Sequence, residues 1–75
     1  MLTIKQKQVL EVIEWFIKEN GYSPTYREIS IILNKDVKSV FRISMILEEK
    51  GYISTINGRS RTIKILRGVD DWDLK

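Results

Sequence analysis

Neither cysteine nor histidine occurs among the 75 residues of the chain. Disulfides, thiolate or imidazole metal sites, and serine–histidine or cysteine–histidine catalysis are excluded together. Proline occurs once, at Pro24, and there are four glycines, so few positions interrupt regular structure. No apolar run approaches the roughly 20 residues of a membrane-spanning helix, and the N-terminus lacks a signal-peptide pattern. A soluble cytoplasmic protein is expected. A chain this short forms one small domain with a modest core. No glycine-rich phosphate loop follows a strand. The only paired carboxylates are Glu48-Glu49 and Asp70-Asp71, neither with a pocket-forming context. The chain is therefore read as no enzyme, with no catalytic residues, no metal and no cofactor.

What the chain does have is positive charge, unevenly placed. The net charge is +3. Residues 1–34 carry four basic and four acidic side chains, residues 35–67 eight and three, and residues 68–75 one and three. A local basic patch of this kind favours a polyanionic partner.

Three helices and a hairpin follow from punctuation and period. Thr3 with Gln6 fits a capping box. Val9, Val12, Ile13, Phe16 and Ile17 then trace one apolar helical face, and Asn20-Gly21 supplies a left-handed stop. In the connector "GYSPT", Pro24 disfavours helical geometry at Ser23. Thr25 with Glu28 forms a second capping box, and Ile29, Ile32 and Leu33 give a short amphipathic helix ending near Asn34. After the tight turn "NKD", Asp36 is the expected N-cap of a third helix. Val37, Val40, Ser44 and Leu47 share the face that packs on the other helices, with Ile43 at its edge. Lys38, Arg42, Met45 and Glu49 fall opposite. Gly51 ends this helix. "YISTI" and "TIKIL" are the hairpin strands. Residues 1–67 are read as the domain and residues 68–75 as an acidic tail.

Helix, helix, tight turn, helix and hairpin in that order make a winged helix-turn-helix, mainly α with a β-hairpin. In that geometry the third helix enters the major groove of double-stranded DNA. Its exposed N-terminal half holds Lys38, Ser39 and Arg42. Arg42 suits a bidentate contact to guanine. Lys38 and Ser39 suit a base or a phosphate. Phe41 has three readings: a contact to a thymine methyl, the edge of the core, or a protein-interaction surface shared with Met45 and Ile46.

The hairpin connection "NGRSR" adds Arg59, Ser60 and Arg61, with Lys64 just beyond. A two-residue turn at Asn57-Gly58 would put Ile53 on the opposite face from Ile63 and Ile65. A loop of three or five residues puts all three on one face. The preferred five-residue loop, Asn57 to Arg61, pairs Thr55 with Ile63 and Ile53 with Ile65. Both arginines then project from the tip, where arginine suits phosphates and the minor groove. On this reading Arg61→Ala lowers affinity for every duplex and flattens its salt dependence.

"LTIKQKQVLEVIEWFIKENGYSPTYREISIIL", "SVFRISMILEEKGYI" and "GRSRTIKIL" together resemble the N-terminal DNA-binding domain of the LexA repressors. The resemblance spans residues 2–67 and is most specific at "GYSPTYREI", "LEEKGYI" and "SRTIKIL". It implies a three-helix winged helix that binds operator DNA as a transcriptional repressor in a prokaryotic or phage setting. It also implies base readout from Asp36, Lys38, Ser39, Phe41 and Arg42, and a wing at Arg59, Ser60 and Arg61 against backbone and minor groove. Lys38, Phe41 and Arg42 replace the family's polar recognition residues, so a different operator is expected. The family's self-cleaving serine–lysine peptidase domain, which also supplies dimerisation, has no counterpart in these 75 residues. A cleavage switch within the chain is therefore not expected. Partners other than DNA would be a second copy or another protein, met through Trp72 and Leu74 or through exposed Trp15 and Ile31. The alternative function is a winged helix used as a protein-interaction module, or as a replication or recombination accessory factor.

Overall fold

The computed structural model describes residues 2–56 and 58–67. Asn57, at the start of the hairpin loop, lies outside the described residues, as does the expected acidic tail with Trp72 and Leu74. The first helix, α1, runs Ile4–Asn20. The Thr3 hydroxyl accepts from the Gln6 N–H, and the Gln6 side chain accepts in return from Thr3 N–H. This reciprocal bond satisfies two amides that a helix start leaves orphaned. Gly21 closes α1 with a left-handed φ of 79°, a conformation that glycine adopts without a Cβ penalty. The second helix, α2, runs Tyr26–Leu33, with the same reciprocal capping between Thr25 and Glu28. Asn34 ends it in the left-handed region, and the third helix, α3, follows at Val37–Glu49.

The turn is therefore Asn34, Lys35 and Asp36. Asp36 holds the extended N-cap backbone, but its side chain makes no capping bond. The Asp36 carbonyl accepts the first bond of the helix, from Val40 N–H at 3.1 Å.

All three helices bury one stripe in a shared core. Val9, Leu10, Ile13, Ile29, Val40, Leu47 and Ile53 are essentially inaccessible, with Leu2, Tyr52 and Ile63 at the margin. Leu10 widens the stripe of α1 beyond the face traced by period, because α1 meets both other helices. Two expectations are corrected. Val37 is exposed rather than packed in the core, since it opens α3 in a surface cleft beside Tyr26 and Phe41. Ile32 is exposed too; Ile29 is buried as expected, and Ser30 joins it on the buried face of α2.

The hairpin strands β1, Ile53–Ser54, and β2, Lys64–Ile65, pair antiparallel in the register Ile53↔Ile65 and Ser54↔Lys64. This is the register of the five-residue loop, and it turns Ile53, Ile63 and Ile65 toward the core. The strands are shorter than the apolar runs because side chains take over the outer ladder. Ile56 N–H donates to the Thr62 hydroxyl at 3.1 Å, and Ile63 N–H to the Ser23 hydroxyl at 3.1 Å.

Candidate nucleic-acid interface

The first two turns of α3 present Lys38, Ser39, Phe41 and Arg42 to solvent. The helix is oriented by the burial of Val40, Ser44 and Leu47 on its other side, so the exposed residues face away from the core by helical geometry. Lys38 and Arg42 border a cleft of about 530 Å³ whose remaining walls are Tyr26, Val37, Phe41 and Met45. None of the six is acidic. Phe41 is 48% exposed and meets the Tyr26 ring edge-to-face at 5.3 Å. It thus packs beside the core without entering it.

Tyr26 is the hinge of the surface. A second cleft, of about 360 Å³, is lined by the N-terminus of α2, Tyr26 included, and by the hairpin connection from Gly58 to Ile63. Tyr26 thus lines both the α3 cleft and the wing cleft. Burial pushes the Tyr26 phenol above its ordinary value of 10.0, a hydrogen bond with Thr55 lowers it, and the nearby Glu48 charge raises it. The net upward shift keeps the hydroxyl protonated. Glu48 is itself engaged, accepting from the Thr55 N–H and hydroxyl at 3.3 Å.

The two tip arginines differ. Arg59 and Ser60 are exposed, and Arg59 forms no ion pair among the described residues. Arg61 does not project. Its guanidinium folds back onto the helical body and forks onto Glu28 at 3.0 and 2.9 Å. It also donates to the Ser23 carbonyl at 3.1 Å and lies 4.9 Å from the centre of the Tyr22 ring. This corrects the expectation that both arginines extend from the tip. Glu28 already caps α2, so one carboxylate serves the helix start and the wing. Arg61 hydrogen bonding, joined by the Thr25 N–H, holds the Glu28 carboxyl below its ordinary value of 4.5. The same pairing raises Arg61. Arg61 adopts a left-handed φ of 56°, a conformation that costs a non-glycine residue roughly 1–2 kcal/mol. The fork, the carbonyl bond and the ring contact offset that strain. Lys64 is exposed on β2.

Sequence reasoning missed the parts played by Tyr22, Ser23 and Tyr26. Ser23 and Tyr26 stand beside the signals that were read, Pro24 and the Thr25 capping box, but nothing local announces that Ser23 meets Arg61 and Ile63 or that Tyr26 meets Phe41. Among the described residues no group of acidic side chains could hold a metal ion, and no helix is long and apolar enough to cross a membrane.

Residues 1–62 match the family described as the LexA DNA binding domain. A LexA repressor of Thermotoga neapolitana is 40% identical over 68 residues, covering 91% of this chain and 34% of that protein. One from Leptospira biflexa is 39% identical over 70 residues, covering 93% and 35%. One from Erythrobacter litoralis is 36% identical over 72 residues, covering 95% and 31%. The chain thus spans about a third of the length of the curated relatives it matches.

Proposed function

The chain belongs to the LexA DNA-binding domain family, and from that premise we propose that it binds an operator in duplex DNA and acts as a transcriptional repressor. In this reading residues 1–67 are the binding domain, working in the cytoplasm on the nucleoid. The α3 helix lies in the major groove, and the wing lies on the backbone or in the minor groove. Arg42 reads guanine, while Lys38 and Ser39 contact base edges or phosphates. Phe41 forms the apolar floor between them. Arg59, Ser60 and Lys64 approach the backbone, and Arg61 fixes the wing in place.

The observation that carries this reading is that Tyr26 borders both the cleft that holds Lys38 and Arg42 on α3 and the cleft of the wing tip. The exposed cations Lys38, Arg42 and Arg59 make no ion pair among the described residues, so their charge is available to phosphate. Two-fold operators call for two copies one helical turn apart. Exposed Trp15 and Ile31 are candidates for self-association, which sedimentation on and off DNA would measure. The function is tested by selecting bound duplexes from a random pool. A consensus whose affinity falls steeply with salt is expected, and Arg42→Ala should lose about 1–3 kcal/mol of discrimination at one base pair. Absence of salt-dependent affinity for any duplex at low ionic strength would end the reading.

A further inference from the structure

We propose that the cleft on the exposed face of α3 is a docking site for the chain's own C-terminal segment, residues 68–75, which covers it while no other partner is bound. That the docked segment withholds the domain from duplex DNA rests on the function proposed above.

The chemistry of the cleft selects the occupant. Val37, Phe41 and Met45 form an apolar row, 41%, 48% and 54% exposed, four residues apart along one side of the helix. A contiguous apolar surface of this kind marks a binding site. Lys38 and Arg42 border the row, and the six lining residues include no carboxylate. The fitting ligand is apolar where it meets the row and negative beside it. The cleft at Trp15 is apolar too, but Glu11 lines it and no cation does, so it does not suit an acidic ligand.

Residues 68–75 lie outside the described residues, and their sequence, "GVDDWDLK", has the composition of that ligand. Trp72 and Leu74 alternate with Asp71 and Asp73. In an extended chain alternate residues recur about every 7 Å. Residues four apart on a helix, as Met45 and Phe41 are, or Arg42 and Lys38, recur about every 6 Å. Trp72 and Leu74 can therefore follow Met45 and Phe41 while Asp71 and Asp73 keep step with Arg42 and Lys38.

The point of departure sets the direction. Leu66 N–H and Arg67 N–H both donate to the Tyr52 carbonyl, at 2.8 and 3.1 Å, and the Arg67 guanidinium lies 4.8 Å from the centre of the Tyr52 ring. Tyr52 N–H in turn donates to the Leu47 carbonyl at 2.9 Å. The segment thus leaves from the last turns of α3 and meets Met45 before Phe41. Met45 is two residues from Leu47, about 3 Å along the axis and about 10 Å across the helix. The five residues from Arg67 to Trp72 reach about 17 Å when extended, enough for that path. Attachment through a short linker holds a ligand at an effective concentration of about millimolar, so modest contacts suffice.

The test reads the Met45 methyl by NMR in the full chain, without DNA. Isotope labelling of the methionine methyls gives signals from Met1 and Met45, and Met45→Leu assigns them. Trp72→Ala should move the Met45 signal by removing the indole ring beside it. Added salt should move the parent signal toward the variant position, since it screens the carboxylates from Lys38 and Arg42. Dilution should leave the parent signal in place, because the segment belongs to the same chain. An identical Met45 signal in parent and variant would overturn the proposal. So would a difference that vanishes on dilution, which would assign the cleft to the segment of a second copy. The second readout is affinity for the duplex selected from a random pool. Docking in about two molecules of three lowers apparent affinity about threefold. Trp72→Ala changes no charge and should therefore bind about threefold tighter. Unchanged affinity beside a moved Met45 signal would overturn the masking of DNA. Failure of parent and variant to bind any duplex would end the DNA function, while the Met45 comparison would still decide the docking.

Discussion

Arg59→Ala and Arg61→Ala distinguish two cations that are two residues apart and differently committed. Arg59 is exposed, whereas Arg61 is forked onto Glu28. In the counterion-release relation, one phosphate contact contributes about 0.9 to the slope of log affinity against log salt. One such contact strengthens binding about 15-fold at about 50 mM salt and about fourfold at about 200 mM. Arg59→Ala should show those losses and flatten the slope by about 0.9. Arg61→Ala should act by another route. The Arg61 charge is already matched by Glu28, so its loss, made together with Glu28→Gln so that no carboxylate is uncovered, should leave the slope nearly unchanged and weaken binding by a similar factor at both salts. The weakening arises because the wing loses its tie to Ser23 and Glu28. Fluorescence anisotropy of a labelled duplex across that salt range gives the slopes. Amide exchange gives the second readout: Ile63 N–H, bonded to the Ser23 hydroxyl, should exchange faster in Arg61→Ala and not in Arg59→Ala. An equal flattening by both variants, with Ile63 unchanged, would refute the reasoning. It would mean that the Arg61 guanidinium leaves Glu28 for phosphate when DNA binds.

Three further outcomes follow from the same structure. The Glu28 carboxyl is held below 4.5, chiefly by Arg61, so the stabilisation from the clamp is complete above that ordinary value and fades as pH falls through the lower folded value. A carbon-detected titration of Glu28 should find a midpoint below 4.5 that rises in Arg61→Ala, and a midpoint at or above 4.5 in the parent would contradict the clamp. Leu10 is fully buried, so Leu10→Ala should lose about 2–5 kcal/mol. That is much of the roughly 4–11 kcal/mol expected for a domain this size; a urea titration showing under about 1 kcal/mol would argue against the core assignment. The Ser44 hydroxyl is buried with no hydrogen-bond partner among the described residues, a condition that costs roughly 1–3 kcal/mol. Ser44→Ala should leave the urea midpoint equal or higher, and a clear fall would reveal a partner for the hydroxyl.

The helices were legible in the sequence because their ends are written locally. Thr3 with Gln6, Thr25 with Glu28, and Gly21 each act within one turn of themselves, and the structure forms all three caps. The hairpin register was legible for a different reason. Strand side chains alternate, so the need to bury Ile53, Ile63 and Ile65 together fixes the parity of the loop. Val37 and Leu10 show where period stops helping. A stripe gives an angle around a helix and not the edge of the neighbour that covers it. Val37 thus lies near the angle of Val40 and Leu47 yet is exposed where the helix begins.

Arg61 shows a deeper limit, one that bears on how much charge the interface holds. Counted by segment, residues 35–67 carry every basic side chain of the wing, and Glu28 belongs to a segment already in balance. Folding ignores those boundaries. It brings Glu28 to Arg61 across 33 residues and neutralises one of the cations credited to the patch. The bond also depends on a left-handed backbone at Arg61, in a loop where Asn57 and Gly58 are the residues that advertise such a turn. A local charge count is thus an upper bound on what a polyanion can meet. In this domain the difference falls on the residue that holds the wing against the body.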